Sequence, residues 1–224
     1  MPRLLLWDID HTLIESRGVG RALSAAAFEQ VTGIPMREQA AIDGITEPVI
    51  FRETAKLHGL ETTQADFERF AQVLSEEHVA NARELRERGA ALPGAAAALE
   101  ALHVADVRQT VVTGNVRAVA ETKLHVFGLD SRIDWDTGAY GENADLRPDL
   151  VALALRRAAT PATDAVLIGD TPADVEGGHA HGVRVIAVAT GRSSTEALRA
   201  ANADTVLEDL TDTERLVKLV SAYV

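Results

Sequence analysis

Asp8-Ile9-Asp10 sets two carboxylates one residue apart, directly behind the apolar run Leu4-Leu5-Leu6-Trp7 and ahead of Thr12. Carboxylates that close repel each other unless a cation or a shared proton relieves them. Three later stretches place similar chemistry behind apolar runs or at a helix start. Thr113-Gly114-Asn115 follows Thr110-Val111-Val112, Gly169-Asp170 follows Val166-Leu167-Ile168 with Asp174 soon after, and Arg147-Pro148-Asp149 opens a helical pattern. Oxygen ligands without His or Cys select Mg²⁺ or a similar hard cation. The Thr113 hydroxyl, the Asn115 amide and N–H groups at helix starts suit phosphate oxygens, and Arg147 offers a planar fork for two of them. With such a group in place, one carboxylate can attack phosphorus and form an aspartyl-phosphate. A second can protonate the leaving alkoxide and then deprotonate water. Each stretch also has a plainer reading. Asp10, Thr12, Thr113, Asn115, Asp170 or Thr171 can cap a turn or helix, and Arg147 can be a surface charge.

The elements around these residues bring them to one place. Uninterrupted apolar runs such as Leu4–Trp7 read as strands buried on both faces of a parallel sheet. Strand patterns at 107–112, 165–168, 183–188 and 205–207 alternate with helical patterns at 95–103, 116–127 and 148–159, from Pro172, around Leu198 and at the C-terminus. That alternation predicts an α/β fold, a doubly wound parallel sheet with a Rossmann-like core. Polar residues that end such strands gather at the carboxyl edge, where open α/β sheets bind ligands.

Between Arg21 and Arg88 no strand pattern stands out. Leu23, Ala27 and Val31 share one helical face, Ile50, Thr54 and Leu57 a second, and Phe67, Phe70 and Leu74 a third. The sequence therefore predicts a helical insertion at 15–88, with the core made of 1–14 and 89–224. Its aromatic stripe is expected to be core packing. Residues 15–87 hold 13 acidic and 8 basic side chains, so the insertion is no basic clamp.

The chain has 224 residues, a net charge of -12 and no Cys. Such an acidic surface repels nucleic acid and anionic membranes, and no disulfide or thiol chemistry is available. No apolar run approaches the roughly 20 residues of a membrane span, and no signal-peptide pattern is present, so a cytoplasmic location is expected. The expected partner is a small phosphorylated metabolite, bound by a monomer or homodimer.

Asp8-Ile9-Asp10-His11-Thr12-Leu13, Thr113-Gly114-Asn115 and Gly169-Asp170 with Asp174 resemble, in order and spacing, the motifs of the haloacid dehalogenase-like hydrolases. The helical insertion, Leu92-Pro93-Gly94 and Asp43-Gly44-Ile45-Thr46-Glu47 are similar to the phosphoglycolate phosphatase-like branch, whose insertion is a cap. The resemblance implies a Mg²⁺-dependent phosphatase acting on a small phosphate monoester. It implies Asp8 as nucleophile and metal ligand, and Asp10 as general acid/base with its backbone carbonyl on the metal. It further implies Thr113, Gly114 and Asn115 around the phosphoryl group, Asp170 as a metal ligand and Asp174 as its support. The family's usual lysine falls at Arg147, with Lys123 as a rival on the preceding helix. His11 stands where the family often has Gly. Arg17, Thr46 and Arg52 are candidates for the cap face toward Asp8. A phosphosugar mutase, a phosphonatase needing the cap's Lys56 as a Schiff-base amine, and a weakly catalytic phosphate-binding regulator are the alternatives.

Overall fold

The computed structural model describes residues 4–222. A five-stranded sheet is built from β1 (Leu4–Trp7), β4 (Arg108–Val111), β5 (Ala165–Gly169), β6 (Arg184–Val188) and β7 (Thr205–Leu207), in the order β4-β1-β5-β6-β7. Every pairing in it is parallel. The side-chain alternation of β1 explains its unbroken apolar sequence. Leu5 and Trp7 enter a core with α5 (Ala95–Val104) and α10 (Thr213–Ala222), while Leu4 and Leu6 enter another with α7 (Arg147–Arg157), α8 (Pro172–His179) and α9 (Thr195–Ala200). The sheet thus carries helices on both faces, as the alternating pattern requires.

Register sets the working edge. Trp7 pairs with Val111 on one side and Ile168 on the other, so the three strands end level. Asp8, Val112-Thr113 and Gly169-Asp170 therefore emerge side by side. The Asp8 N–H donates to Ile168 O at 2.9 Å and the Val112 N–H to Trp7 O at 2.8 Å, continuing the pairing one residue further.

The chain leaves this core through β2 (Ile14–Glu15) and returns through β3 (Ala90–Ala91), which pair antiparallel. This short ribbon has no expectation in the sequence. Between its strands lie α1 (Val19–Thr32), α2 (Glu47–Leu57), α3 (Gln64–Ala80) and α4 (Ala82–Arg88). Gly33, at φ 73°, ends α1 in the left-handed conformation that glycine adopts most freely. A capping box between Thr63 and Asp66 starts α3. The helices surround their own core, in which Phe51 stacks on Phe70 with ring centroids 4.5 Å apart. The aromatic stripe is packing, as expected. Leu57 is a correction: it is half exposed rather than part of the buried face of α2, because α2 ends there and Ile50, Phe51, Thr54 and Ala55 supply the contact. The separate helix α4 is likewise absent from the sequence reading.

Helix α6 (Arg117–Val126) joins the two halves. Its Ala120 and Leu124 face the sheet core, while Val116, Val119 and Val126 pack into the core of the insertion. The segment before α2 also presses on the core. The Glu47 N–H donates to Gly114 O at 2.9 Å, and a side chain at Gly114 would strike the backbone carbonyl of Ile45. Gly114→Ala is expected to lower stability by about 2 kcal/mol, the usual range for overpacking, and thermal unfolding checks this. The same substitution at Gly128, where a β-carbon meets nothing within 4 Å but φ is +69°, separates collision from backbone strain.

Candidate active site

Asp8, Asp10, Thr113, Gly114, Asn115, Arg147 and Asp170 all border one cavity of about 150 Å³, between the carboxyl edge of the sheet and the insertion. Asp174 lies beneath it, fully buried. The site divides into two charged clusters, one around Asp8 and one around Asp10.

In the first, oxygens of Asp8, Asp170 and Asp174 lie within 4.8 Å of one another. Arg147 is buried against them, its Nη2 3.0 Å from both Asp8 Oδ1 and Asp174 Oδ1, while its Nη1 donates to Val112 O at 2.9 Å. It is not a surface charge. Asp174 combines two readings of the sequence. Its Oδ2 accepts from the Thr171 N–H at 3.1 Å and from the Thr171 hydroxyl at 2.7 Å, closing the capping box of α8, while Oδ1 faces Arg147. Thr171 provides the cap, so the Asp170 side chain is left to the cluster, where Thr12 Oγ1 donates to its Oδ1 at 3.3 Å. Burial pushes the Asp8 carboxyl up to about 7, against the pull of Arg147 and with repulsion from Asp174 and Asp10 added. Burial, with Asp8 and Asp174 beside it, pushes Asp170 up to about 9.

With all three carboxylates ionised, one guanidinium leaves two negative charges. Such a site suits a divalent hard cation on chemical grounds. The all-oxygen donor set of Asp8, Asp170 and Asp174 fits Mg²⁺ or a similar hard cation. The Asp10 carboxylate is outside this cluster.

In the second cluster, Lys123 Nζ donates to Asp10 Oδ1 and Oδ2, both at 2.8 Å, and to Asn115 Oδ1 at 2.7 Å. Asn115 Nδ2 donates to Asp10 Oδ2 at 2.7 Å and Thr113 Oγ1 at 2.8 Å. Burial alone would raise the Asp10 carboxyl, but the Lys123 charge and the donors Lys123 and Asn115 hold it below its ordinary value. Neither Thr113 nor Asn115 caps α6; its N-cap residue is Val116, and the Arg117 N–H donates to Glu142 Oε1 at 3.0 Å. Both cations considered for the third motif are therefore in place, Arg147 on Asp8 and Lys123 on Asp10.

His11 lies at the cavity in the left-handed conformation, φ 62°, so the backbone there is one that glycine meets without strain. The insertion contributes Glu47 from α2, which the sequence marked only as part of Asp43-Gly44-Ile45-Thr46-Glu47, and three side chains that sequence reasoning did not single out: His78 from α3, and Ser24 and Arg21 from α1. Thr46, Arg52 and Arg17 do not border the cavity. Thr46 Oγ1 donates to Asp145 O at 3.0 Å, Arg52 pairs with Asp145 at 2.9 Å, and Arg17 pairs with Glu15 at 3.4 Å. Lys56 is half exposed and pairs with Glu53 at 2.8 Å, away from the cavity. It is not placed to form a Schiff base there.

Residues 5–188 match the family model of haloacid dehalogenase-like hydrolases, and the chain belongs to that family. It is 25% identical over 206 residues to a phosphoglycolate phosphatase of Pseudomonas fluorescens, covering 85% of this chain and 71% of that protein. It is 28% identical over 196 residues to the tyrosine-protein kinase PtkA of Mycobacterium tuberculosis, covering 85% and 63%. A third relative, from Caldanaerobacter subterraneus subsp. tengcongensis, is provisionally named pyrophosphatase PpaX; it is 30% identical over 113 residues, 50% of this chain, and this stretch spans about half, 51%, of its length. Among solved structures, a family IA hydrolase from Entamoeba histolytica superposes with a TM-score of 0.71 at 16% identity, covering 99% and 100% of the two chains. A hydrolase from Pseudomonas syringae gives 0.67 at 20% identity, covering 96% and 98%. These two establish the fold.

Proposed function

We propose that this protein is a Mg²⁺-dependent phosphatase that hydrolyses a small-molecule phosphate monoester through an aspartyl-phosphate on Asp8. The separation of two neighbouring carboxylates into opposite surroundings carries this reading. Asp8 faces the cation-demanding cluster, while Asp10, two residues on, is held ionised by Lys123 and Asn115. A bound cation would favour the ionised form of Asp8, the form that attacks, whereas Asp10 has to gain a proton before it can act as the acid. The family match and a phosphoglycolate phosphatase among the relatives support the same reaction class.

An Asp8 oxygen forms a bond to phosphorus as the ester P–O bond breaks, and the leaving alkoxide takes a proton from Asp10. Water then attacks phosphorus, Asp10 takes its proton, and the Asp8–phosphorus bond breaks to release phosphate. When bound, Mg²⁺ supplies charge neutralisation at the carboxylates and phosphoryl oxygens. Thr113, Asn115 and the Gly114 N–H hold the phosphoryl oxygens, with Arg147 and Lys123 as the flanking cations. A phosphoryl dianion seated there draws Lys123 and Asn115 away from Asp10. Burial then raises the proton affinity of Asp10, giving the acid form that a leaving alkoxide needs. The insertion acts as a cap that excludes bulk water and selects the ester.

The test is phosphate release from p-nitrophenyl phosphate, with Mg²⁺ and with a chelator in its place. Release that needs Mg²⁺ is expected; a folded protein that releases none with Mg²⁺ from this or any small ester overturns the proposal. Lys123→Met is expected to lower kcat/KM by about 10²- to 10³-fold, the loss typical of one donor at developing charge. With an alkyl phosphate it should also move the alkaline limb of the kcat/KM profile upward, because Asp10, there the acid, loses the charge that keeps it ionised. Steady-state kinetics across pH checks both.

A further inference from the structure

His78 is an unused hydrogen-bond acceptor in the wall of the cavity. It stands one turn beyond Leu74 on the buried stripe of α3 and is 2% exposed. Its Nδ1 lies 2.8 Å from Leu74 O. A carbonyl only accepts, so Nδ1 carries the hydrogen and donates. Nε2 of the neutral ring then holds a lone pair, and this buried atom has no partner among the described residues. With Nδ1 turned back onto its own helix, Nε2 is the nitrogen left without a partner in a ring that borders the cavity. Burial, with the Lys123 charge nearby, pushes the imidazolium form down to about 4, so the ring stays neutral. Glu47 borders the same cavity, and its carboxyl accepts no hydrogen bond among the described residues.

We propose that His78 selects the leaving group by accepting a hydrogen bond from its hydroxyl, so that the substrate is a hydroxyl-bearing phosphate ester of the polyol or sugar class. This rests on the phosphatase reading above. A buried acceptor left without a donor is costly, so an ester that supplies one gains over an ester that does not. A leaving group ending in a carboxylate brings no hydrogen for the His78 lone pair. Arg21 also borders the cavity, but it is exposed to water, where it holds a carboxylate weakly.

The experiment compares kcat/KM for glycerol 3-phosphate, propyl phosphate and phosphoglycolate, with thermal unfolding of every variant. Wild type is expected to favour glycerol 3-phosphate by about 10-fold or more over both others, the discrimination that one pocket hydrogen bond supports. His78→Phe, similar in shape without the acceptor, should bring the glycerol-to-propyl ratio to within about threefold of unity if that bond is its source. His78→Gln, which returns an acceptor oxygen, should restore part of it. A wild type that prefers phosphoglycolate or propyl phosphate overturns the inference, and does so without any variant having to fold. An unchanged ratio in folded His78→Phe overturns it too. In those cases phosphate release persists and the phosphatase reading stands. Absence of Asp8-dependent release from all three esters and from p-nitrophenyl phosphate overturns both.

Discussion

Asp8→Asn is expected to lower phosphate release from p-nitrophenyl phosphate by about 10⁴-fold or more, in the range seen when a nucleophile is removed, while the protein remains folded. The substitution keeps size and planarity and removes the charge that attacks. Little else depends on it. The Asp8 N–H still donates to Ile168 O, and Arg147 keeps Asp174 and Val112 O as partners. One negative charge also leaves a cluster where three carboxylates face one guanidinium, so the thermal midpoint should not fall. Asp10→Asn provides the contrast. p-Nitrophenolate leaves without a proton, so formation of the aspartyl-phosphate survives while its hydrolysis, which needs a base, slows. A burst of nitrophenolate equivalent to the enzyme, followed by a slow phase, is the expected trace under rapid mixing. A similar steady loss in both variants with no burst would contradict separate roles for the two carboxylates.

The two charged clusters were unequally legible in the sequence. The Asp8 cluster hangs on strand ends, and strands declare themselves through local apolar runs. Once Leu4–Trp7 and Val166–Ile168 are taken as neighbours in a parallel sheet, Asp8 and Asp170 have to meet. Lys123 is different. Its position depends on how α6 rotates over the sheet edge, which no local pattern fixes. A signal was nevertheless present: Lys123 falls among Val119, Ala120, Leu124 and Val126 on the buried faces of α6. A lysine there needs a carboxylate partner, since an unpaired buried ammonium is rarely tolerated. His78 carries the same kind of signal, continuing Phe67, Phe70 and Leu74 along α3 at helical spacing. Glu47 carries none. It reaches the cavity because the loop before α2 docks on Gly114, a contact between segments far apart in the chain. Thr46 and Arg52 lie in or beside that same loop, yet they turn to Asp145. Sequence order places a loop at the site without saying which of its side chains faces in.

Free of divalent cations, the protein is expected to lose stability as the pH rises from 6.5 to 9, and Mg²⁺ is expected to restore it. Asp170 and Asp8 are raised in the folded state, to about 9 and about 7, from an ordinary 3.8. Between those limits the folded protein binds more protons than the unfolded chain, so the stability these groups contribute is complete below about pH 4 and lost as pH climbs through their folded values. Asp10 is shifted the other way, and its contribution is lost only as pH falls below about 4. His78, lowered to about 4 from 6.5, costs stability as pH falls below 6.5. The window above 6.5 therefore belongs to the raised carboxyls. At about 1.4 kcal/mol per pH unit for one proton, a single proton held by the Asp8–Asp170 pair accounts for a loss of about 3 kcal/mol across it. For a chain of this size that is a fall in thermal midpoint of about 10 °C. Mg²⁺ held by the deprotonated carboxylates would compete with these protons. At a hundredfold excess over its dissociation constant it returns about 2.7 kcal/mol, and its effect on the midpoint should be larger at pH 9 than at pH 6.5. Asp170→Asn removes one carboxyl of that pair. Thermal unfolding of that variant should show a flatter pH profile and a smaller response to Mg²⁺. A wild-type midpoint that rises with pH over this range would mean that the three carboxylates are not held together as described.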